Sequence, residues 1–493
     1  MAHRSDGAEF LIVGAGAAGC VLATRLAQAG RSVVLLEAGP DLRASGAELR
    51  AGWTLPKPPD WGFESEADAA GNTEPLRRGR GVGGSSWLTR FAVRGAAADF
   101  DAWAAAGNVG WSFDELLPSF RQLESDLDFG DRPWHGASGP IPITRYPEHE
   151  LADIHAASVE AAIAVGFEAV DDHNAPAAVG IGRIPMSSRS GVRASTADAY
   201  LPLAPAGYLS MRSDSPVAKV EVERGRAIGV RLADGTSIPS ERVILASGTY
   251  GSPAILMRSG VGPAQHLREL GIPVLVDLAG VGANLADHPS VDVTTDWQGV
   301  ARDAPLLHSM ATFRSESAEA SDPPDLMLWT TDPRGDPASF EIDALLLKPR
   351  SRGRVRLRSA DPAAAPRIEL PGLSDARDVA RLSEAYRRGW DVMNGDALRR
   401  RGARPSSPLP GIDGELRSYV ASNSYSVPHV VGTCAMGPAG DAGAVVNAAA
   451  RVHGVDGLYV VDASIIPQPT AGFPHIITIA LAETIAARMI AGS

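Results

Sequence analysis

The chain has 493 residues, enough for two or three domains around a large buried ligand. An apolar fraction of 44%, a charged fraction of 21% and a net charge of -12 describe a globular protein that repels phosphate backbones, which argues against nucleic acid as a partner. Two cysteines, Cys20 and Cys434, are too few for a disulfide framework or a thiolate metal centre and fit a reducing cytoplasm.

Residues 10–13 are an apolar run of the buried-strand type, broken by Gly14, Gly16 and Gly19 too early to serve as the core of a signal peptide. Helix formers fill residues 17–28, and Gly30 is placed to end that helix. Residues 32–36 form a second apolar run closed by Glu37, so the three pieces predict one βαβ unit. Pro56, Pro58 and Pro59 mark an extended loop. Ser112 and Glu115 have capping-box spacing at the head of a helix reaching Glu124, and a further helix is predicted over 151–165, stopped by Gly166. From Leu209 the pattern turns to short strands at 217–222, 227–232 and 243–246, with turns at Gly225 and at Asp234-Gly235. The stretch 291–358 is strand-like and interrupted by proline, clearest at 344–347 and 355–357, and a long helical pattern covers 376–393. Arg399, Arg400, Arg401 and Arg404 read as a solvated face. The chain closes with a strand at 458–461 and a helix over about 476–490. No stretch reaches the roughly 18 apolar residues of a membrane span, so a soluble, cytoplasmic protein is expected, with peripheral membrane contact left open.

Gly14, Gly16 and Gly19 form G-x-G-x-x-G between the first strand and the first helix. The first glycine permits the tight turn, the second lets the backbone approach a diphosphate, and the third lets helix and strand pack closely. Ala17 and Ala18 open the helix, whose unpaired N–H groups favour an anion. Glu37, followed by Ala38, ends the second strand where a carboxylate can accept hydrogen bonds from ribose hydroxyls, and its charge argues against a 2′-phosphate. This fingerprint alone does not choose between NAD and FAD.

Further motifs make the choice. GRGVGGSS, residues 79–86, contains Arg80, Val82, Gly83, Gly84 and Ser85, and suits a diphosphate or the edge of a flavin. GTYGSPAILMRSGVG, residues 248–262, begins at Gly248 just after Ser247. Asp462 and Ala463 follow the last strand, where a carboxylate can bond a ribitol hydroxyl. Together with LAGVGANLADHP (278–289), SVPHVVGTCAMG (426–437) and DASIIPQPTAGFPHIITIALAE (462–483), these stretches resemble the glucose–methanol–choline (GMC) oxidoreductase family, choline dehydrogenase-like members included, over nearly the whole chain. LESDLDFG followed by WHGASGPIPI is similar to actinobacterial members, among them the mycofactocin-associated dehydrogenases.

The resemblance implies an α/β protein with a discontinuous Rossmann-type FAD-binding domain (1–105, 190–290, 430–493) and a substrate domain of antiparallel sheet and helices (106–189, 291–429). It adds Val217 and Ile476 to the residues about the cofactor and implies that FAD is held non-covalently, because Leu88 stands where some members carry a linking histidine. Thr89 departs from the family's Asn, and RFAVRG after it is one residue short.

Alcohol oxidation removes a hydride from carbon and a proton from oxygen; the flavin takes the first, and a histidine suits the second because its pKa lies near working pH. The resemblance implies His429 as that base, with His475 orienting the hydroxyl or sharing its proton. No metal is expected, since no Cys, Asp or Glu shares these segments at ligand spacing. His135, His288 and His453 lie in turn motifs and read as structural, Cys434 reads as a packed residue, and no G-x-S-x-G elbow is present. The predicted partners are a small-molecule alcohol and an electron acceptor, oxygen or another carrier. A lyase that keeps FAD as scaffold, a non-catalytic flavin-binding module and an NAD(P)-dependent dehydrogenase are the rival functions.

Overall fold

The computed structural model describes residues 8–43, 59–67, 71–147, 149, 151, 153–297, 307–331, 334–335, 338–411 and 413–492; Pro56 and Pro58 of the predicted loop lie outside them. Strand β1 (Ala8–Val13), helix α1 (Ala17–Gln28) and strand β2 (Val33–Leu36) form the expected unit, with the two strands parallel. Their near-continuous apolar runs suit a sheet covered on both faces. Leu209–Arg212 extends the sheet beside β2, and Ser237–Leu245 lies parallel to β1 on the other side. Leu458–Val460 joins Ser237–Leu245, also in parallel, more than 200 positions later in the chain. Two antiparallel strands, Arg226–Leu232 and Val217–Glu223, complete this sheet.

A second, mixed sheet runs in the order Tyr425–Ser426, Pro289–Thr294, Glu341–Leu346, Leu326–Thr331, Leu307–Phe313, Gly180–Arg183 and Ala169–Val170. Its pairs are antiparallel except the last. Both faces are covered, and the period-two alternation sorts side chains between them. Leu326, Leu328, Ala344 and Leu346 meet the helices Asp153–Ala164, Ala376–Met393 and Asp413–Asn423. Met327, Trp329, Leu345 and Leu347 point the other way, into a cluster with Val93, Ala471 and Phe473. Helix Ala376–Met393 matches its prediction because Leu382, Ala385, Tyr386, Gly389, Val392 and Met393 recur at helical spacing on one buried face. At Gly389 a Cβ would stand 3.2 Å from a Val293 methyl, so the glycine lets this helix settle on the sheet.

The capping box forms as predicted: both the N–H and the Oγ of Ser112 donate to the Glu115 carboxylate, at 3.0 and 2.7 Å, and helix Phe113–Leu123 follows. Just beyond it lies a buried knot of charge. Arg94 pairs with Glu124, Arg145 binds Asp126 at 2.9 Å and Asp172 at 2.8 Å, and His135 bridges Glu124 (2.7 Å) and Asp172 (2.9 Å). Glu124, Asp126 and His135 stand close enough to share a cation. The two guanidiniums already balance those carboxylates, in keeping with a structural role for His135.

Helix Pro474–Ala491 has 18 residues and is long and apolar enough to cross a membrane. The reading that no stretch reaches about 18 apolar residues concerns uninterrupted runs, and His475, Thr478, Glu483, Thr484 and Arg488 interrupt this one. Within the fold 61% of that stretch is buried, packed on α1 and on Phe113–Leu123, and a core helix is apolar all round for the same reason as a membrane span.

Candidate active site

The glycine turn is built as its spacing predicts. Gly14 has φ +103° and donates to the Leu36 carbonyl at 2.7 Å. A Cβ on Gly19 would collide with the Gly14 carbonyl, which is the close helix–strand contact demanded of the third glycine. Gly16 differs: a Cβ there meets no protein atom within 4 Å. The backbone is bare on the side where a ligand would approach. The second glycine loop closes over it, with Gly83 N–H donating to the Ala15 carbonyl at 2.7 Å and Gly84 so near that its Cβ would stand 2.9 Å from Gly16 Cα. Ala17 and Ala18 form the first turn beneath, Val82 is fully buried, and Ser85 Oγ accepts the Gly79 N–H at 3.2 Å.

Glu37 joins these loops. Its carboxylate accepts the N–H groups of Ala15 (2.9 Å), Gly39 (3.0 Å) and Gly81 (3.1 Å). Burial pushes its pKa up, and those donors oppose the rise. Oε1 takes two of these donors and Oε2 one, so Oε2 is the less occupied oxygen for a hydroxyl. Arg80 reaches the Ala38 carbonyl at 3.5 Å and lies over the Trp61 ring. Ser215, two residues before Val217, donates its N–H to the Glu37 carbonyl at 2.8 Å, which brings that strand to the same place. Ser247 Oγ bonds the Val13 carbonyl at 3.0 Å. The Asp462 carboxylate caps the helix Gly248–Arg258, accepting Gly248 N–H (2.9 Å) and Ser252 Oγ–H (2.6 Å), and also accepts Ser464 N–H (2.8 Å). The capping role was not foreseen; one acceptor position on Oδ1 is left for the predicted ribitol contact. Ala463 opens the short helical turn after Asp462, and Ile476 is fully buried.

The His429 ring packs on the Phe473 ring with centroids 4.5 Å apart, and two positions beyond Phe473, His475 is the second residue of the last helix, Pro474–Ala491. No hydrogen bond joins the two imidazoles among the described residues. His475 Nε2 is buried without a partner. Burial, aided by the Arg193 charge, pushes the pKa of His475 down to about 4. Arg193 in turn donates to the Trp87 carbonyl at the end of the second glycine loop, so His475 and that loop share one neighbour. His429 is held well below the usual histidine range by burial, with the His288 ring and Arg78 adding to it. Both rings are therefore neutral at neutral pH, the state in which an imidazole accepts a proton.

Three features escaped the sequence. Asp287 Oδ1 accepts the main-chain N–H of His288 at 2.8 Å and of His429 at 2.7 Å, while Oδ2 takes the Ser426 hydroxyl. His288, read from sequence as a plain turn residue, instead places Nδ1 3.2 Å from Nδ1 of His429. Phe91, Trp329 and Phe473 form a mutually packed aromatic wall next to His429, with centroids 5.6 to 6.0 Å apart. Only the DHP of 287–289 could have signalled the first two, and nothing in its spacing tied it to a residue 141 positions away. Thr89 closes the shortened stretch locally, its Oγ1 accepting the Phe91 N–H at 3.4 Å. Cys434 is fully buried, as expected of a packing residue, and His453 bonds the Gly437 carbonyl at 3.1 Å.

A mainly parallel sheet that carries this glycine turn defines a dinucleotide-binding architecture. The chain belongs to the GMC oxidoreductase family, whose N-terminal model matches residues 8–290 and whose C-terminal model matches residues 349–482. It is 34% identical to 5-(hydroxymethyl)furfural oxidase of Methylovorus sp. (strain MP688) over 97% of this chain and 98% of that protein. It is 32% identical to oxygen-dependent choline dehydrogenase 1 of Chromohalobacter salexigens, over 97% and 94% of the two. The crystal structure of pyridoxine 4-oxidase from Mesorbium loti superposes with a TM-score of 0.88 at 30% identity, covering 98% of this chain and 99% of that one. The protein is an FAD-dependent alcohol oxidoreductase, and the bare backbone at Gly16 and the spare acceptors of Glu37 and Asp462 fit that cofactor.

Proposed function

We propose that the chain oxidises a primary or secondary alcohol to the carbonyl in the region between its two sheets, with His429 as the base for the hydroxyl proton and His475 as the group that orients the hydroxyl. When bound, FAD supplies the acceptor for the hydride. The observation that carries the proposal is the His475 Nε2, buried without a partner two positions along the chain from Phe473, on whose ring the His429 imidazole packs. A buried ring of lowered pKa accepts a proton without first having to lose one, and the imidazolium then formed is poorly solvated, which favours its prompt release. The apolar cluster around Phe91, Trp329 and Phe473 keeps water from the proton in transit. Glu37, the Gly79–Ser86 loop and Asp462 hold the cofactor without a covalent bond, since Leu88 offers no nucleophile.

The relatives named for 5-(hydroxymethyl)furfural, pyridoxine and choline set the substrate panel. The holoenzyme, mixed anaerobically with furfuryl-type, pyridyl-type, aliphatic and choline-type alcohols, is expected to lose its yellow absorbance with at least one, and admission of air then tests oxygen as acceptor. A flavin that stays oxidised with every alcohol overturns the proposal in favour of a lyase or a binding module.

A further inference from the structure

We infer that His288 is a positioning residue that fixes the proton of His429 on Nδ1 and so leaves the His429 Nε2 lone pair for the substrate hydroxyl. The inference rests on the assignment of His429 as the base. A neutral imidazole has one N–H and one acceptor nitrogen, so an Nδ1 to Nδ1 contact at 3.2 Å needs one ring to donate and the other to accept. Which ring donates follows from what else surrounds His288. It is 1% exposed, and the main-chain carbonyls of Leu347 and Thr470 are the backbone acceptors that act on it. Carbonyls only accept, and Nδ1 is the nitrogen turned to His429, so we place the single proton of His288 on Nε2 and leave its Nδ1 bare.

A second proton on His288 would reverse the argument, and the surroundings forbid it. Burial, together with the Lys348 ammonium, pushes its pKa down to about 3. The other charged groups facing the pair are Arg78, which acts on His429, and Asp287, whose Oδ1 is committed to the two main-chain N–H groups. Lys348 is itself held by Asp99 and by the Pro469 carbonyl, so its charge has a fixed place. His288 therefore accepts, His429 donates from Nδ1, and the basic nitrogen of His429 is Nε2. The shared Asp287 anchor sets the spacing of the two main chains and keeps the rings, 81° apart in plane, in reach of each other.

The test compares holoenzyme of the wild type, His288→Leu and His288→Asn, using nitrogen-15 imidazole spectra together with kcat and KM. The amide oxygen of asparagine reaches the place of Nδ1 and can accept in its stead. The wild type is expected to show His429 protonated on Nδ1. His288→Leu is expected to lose that state and about 10- to 100-fold in kcat with KM little moved, and His288→Asn to recover both. Normal flavin loading in both variants separates this from loss of structure. A wild-type spectrum with the His429 proton on Nε2, or a His288→Leu enzyme with unchanged tautomer and kcat, overturns the inference. If His288→Leu does not fold, the wild-type and His288→Asn spectra still decide it. Failure of the base assignment is seen separately, as a His429→Ala enzyme that keeps its kcat.

Discussion

Arg25 and Glu483, 458 positions apart, are joined by two hydrogen bonds of 2.8 Å, and Tyr200 donates a third to the same carboxylate at 2.7 Å. Arg25 stands on the helix that starts at the glycine turn, and Glu483 on the helix whose second residue is His475. This bond fixes the cofactor end of the molecule against the helix that carries a proposed catalytic side chain. Glu483→Ala leaves a half-buried guanidinium and a buried phenol without their acceptor, and a loss of about 3 kcal/mol is expected. Thermal midpoints of the two holoproteins measure it, and an unchanged midpoint would show that the pair contributes little.

The glycines of the fingerprint should part company on mutation. Gly16→Ala adds a methyl group to open space, so the protein folds while FAD binding weakens by about 10- to 100-fold, or 1.4 to 2.7 kcal/mol. Gly19→Ala drives a methyl group into the Gly14 carbonyl and is expected to yield little folded protein. Flavin titration of refolded apoprotein, beside soluble yield, checks both. A Gly16→Ala protein with native affinity would mean that the diphosphate does not approach there.

Replacement of His429 by Ala is expected to lower kcat by about 100- to 10,000-fold, the usual worth of a positioned general base. The lowered pKa fixes the sign of the pH effect. A base must be unprotonated to act, so activity falls only as pH drops below the usual histidine range. A pH profile of kcat/KM with a slow alcohol is the measurement; an acid limb at or above the ordinary histidine value contradicts the burial argument.

Asp287 makes the opposite kind of statement, about stability. Burial raises its pKa to about 6, against the hydrogen bonds from Ser426, His288 and His429. A carboxyl raised in the folded state favours folding in full below its unfolded pKa, and that benefit is lost as pH climbs through about 6. Asp287→Asn cannot ionise and keeps an oxygen for the two N–H groups. Its thermal midpoint should therefore gain on the wild type between about pH 4 and pH 7. A constant gap across that range would mean that Asp287 does not titrate with folding.

What was legible in the sequence followed local rules. The first unit came out as read because glycines, apolar runs and Glu37 act over a few residues each, and His429 and His475 were reached through motifs. The approach of His288 to His429 was not legible, because it depends on Asp287 gathering two segments that no periodicity connects. The knot of Arg94, Glu124, His135 and Asp172 was hidden for the same reason: each of these looks like a surface residue until its partners arrive. Asp462 shows a subtler limit. Its place at a strand end was read correctly, but sequence could not tell a carboxylate that greets a ligand from one that caps a helix.

The strand Leu458–Val460 enters the nucleotide-binding sheet beside Ser237–Leu245, and Asp462 follows at its end. A chain growing on the ribosome exposes the glycine turn first and lacks these pieces until about 440 further residues have been made. Non-local pairing of this kind is slow and leaves sticky edges uncovered meanwhile. Flavin capture thus waits for a late stage of synthesis, and a cell short of riboflavin would accumulate a hollow chain, the form most exposed to proteases.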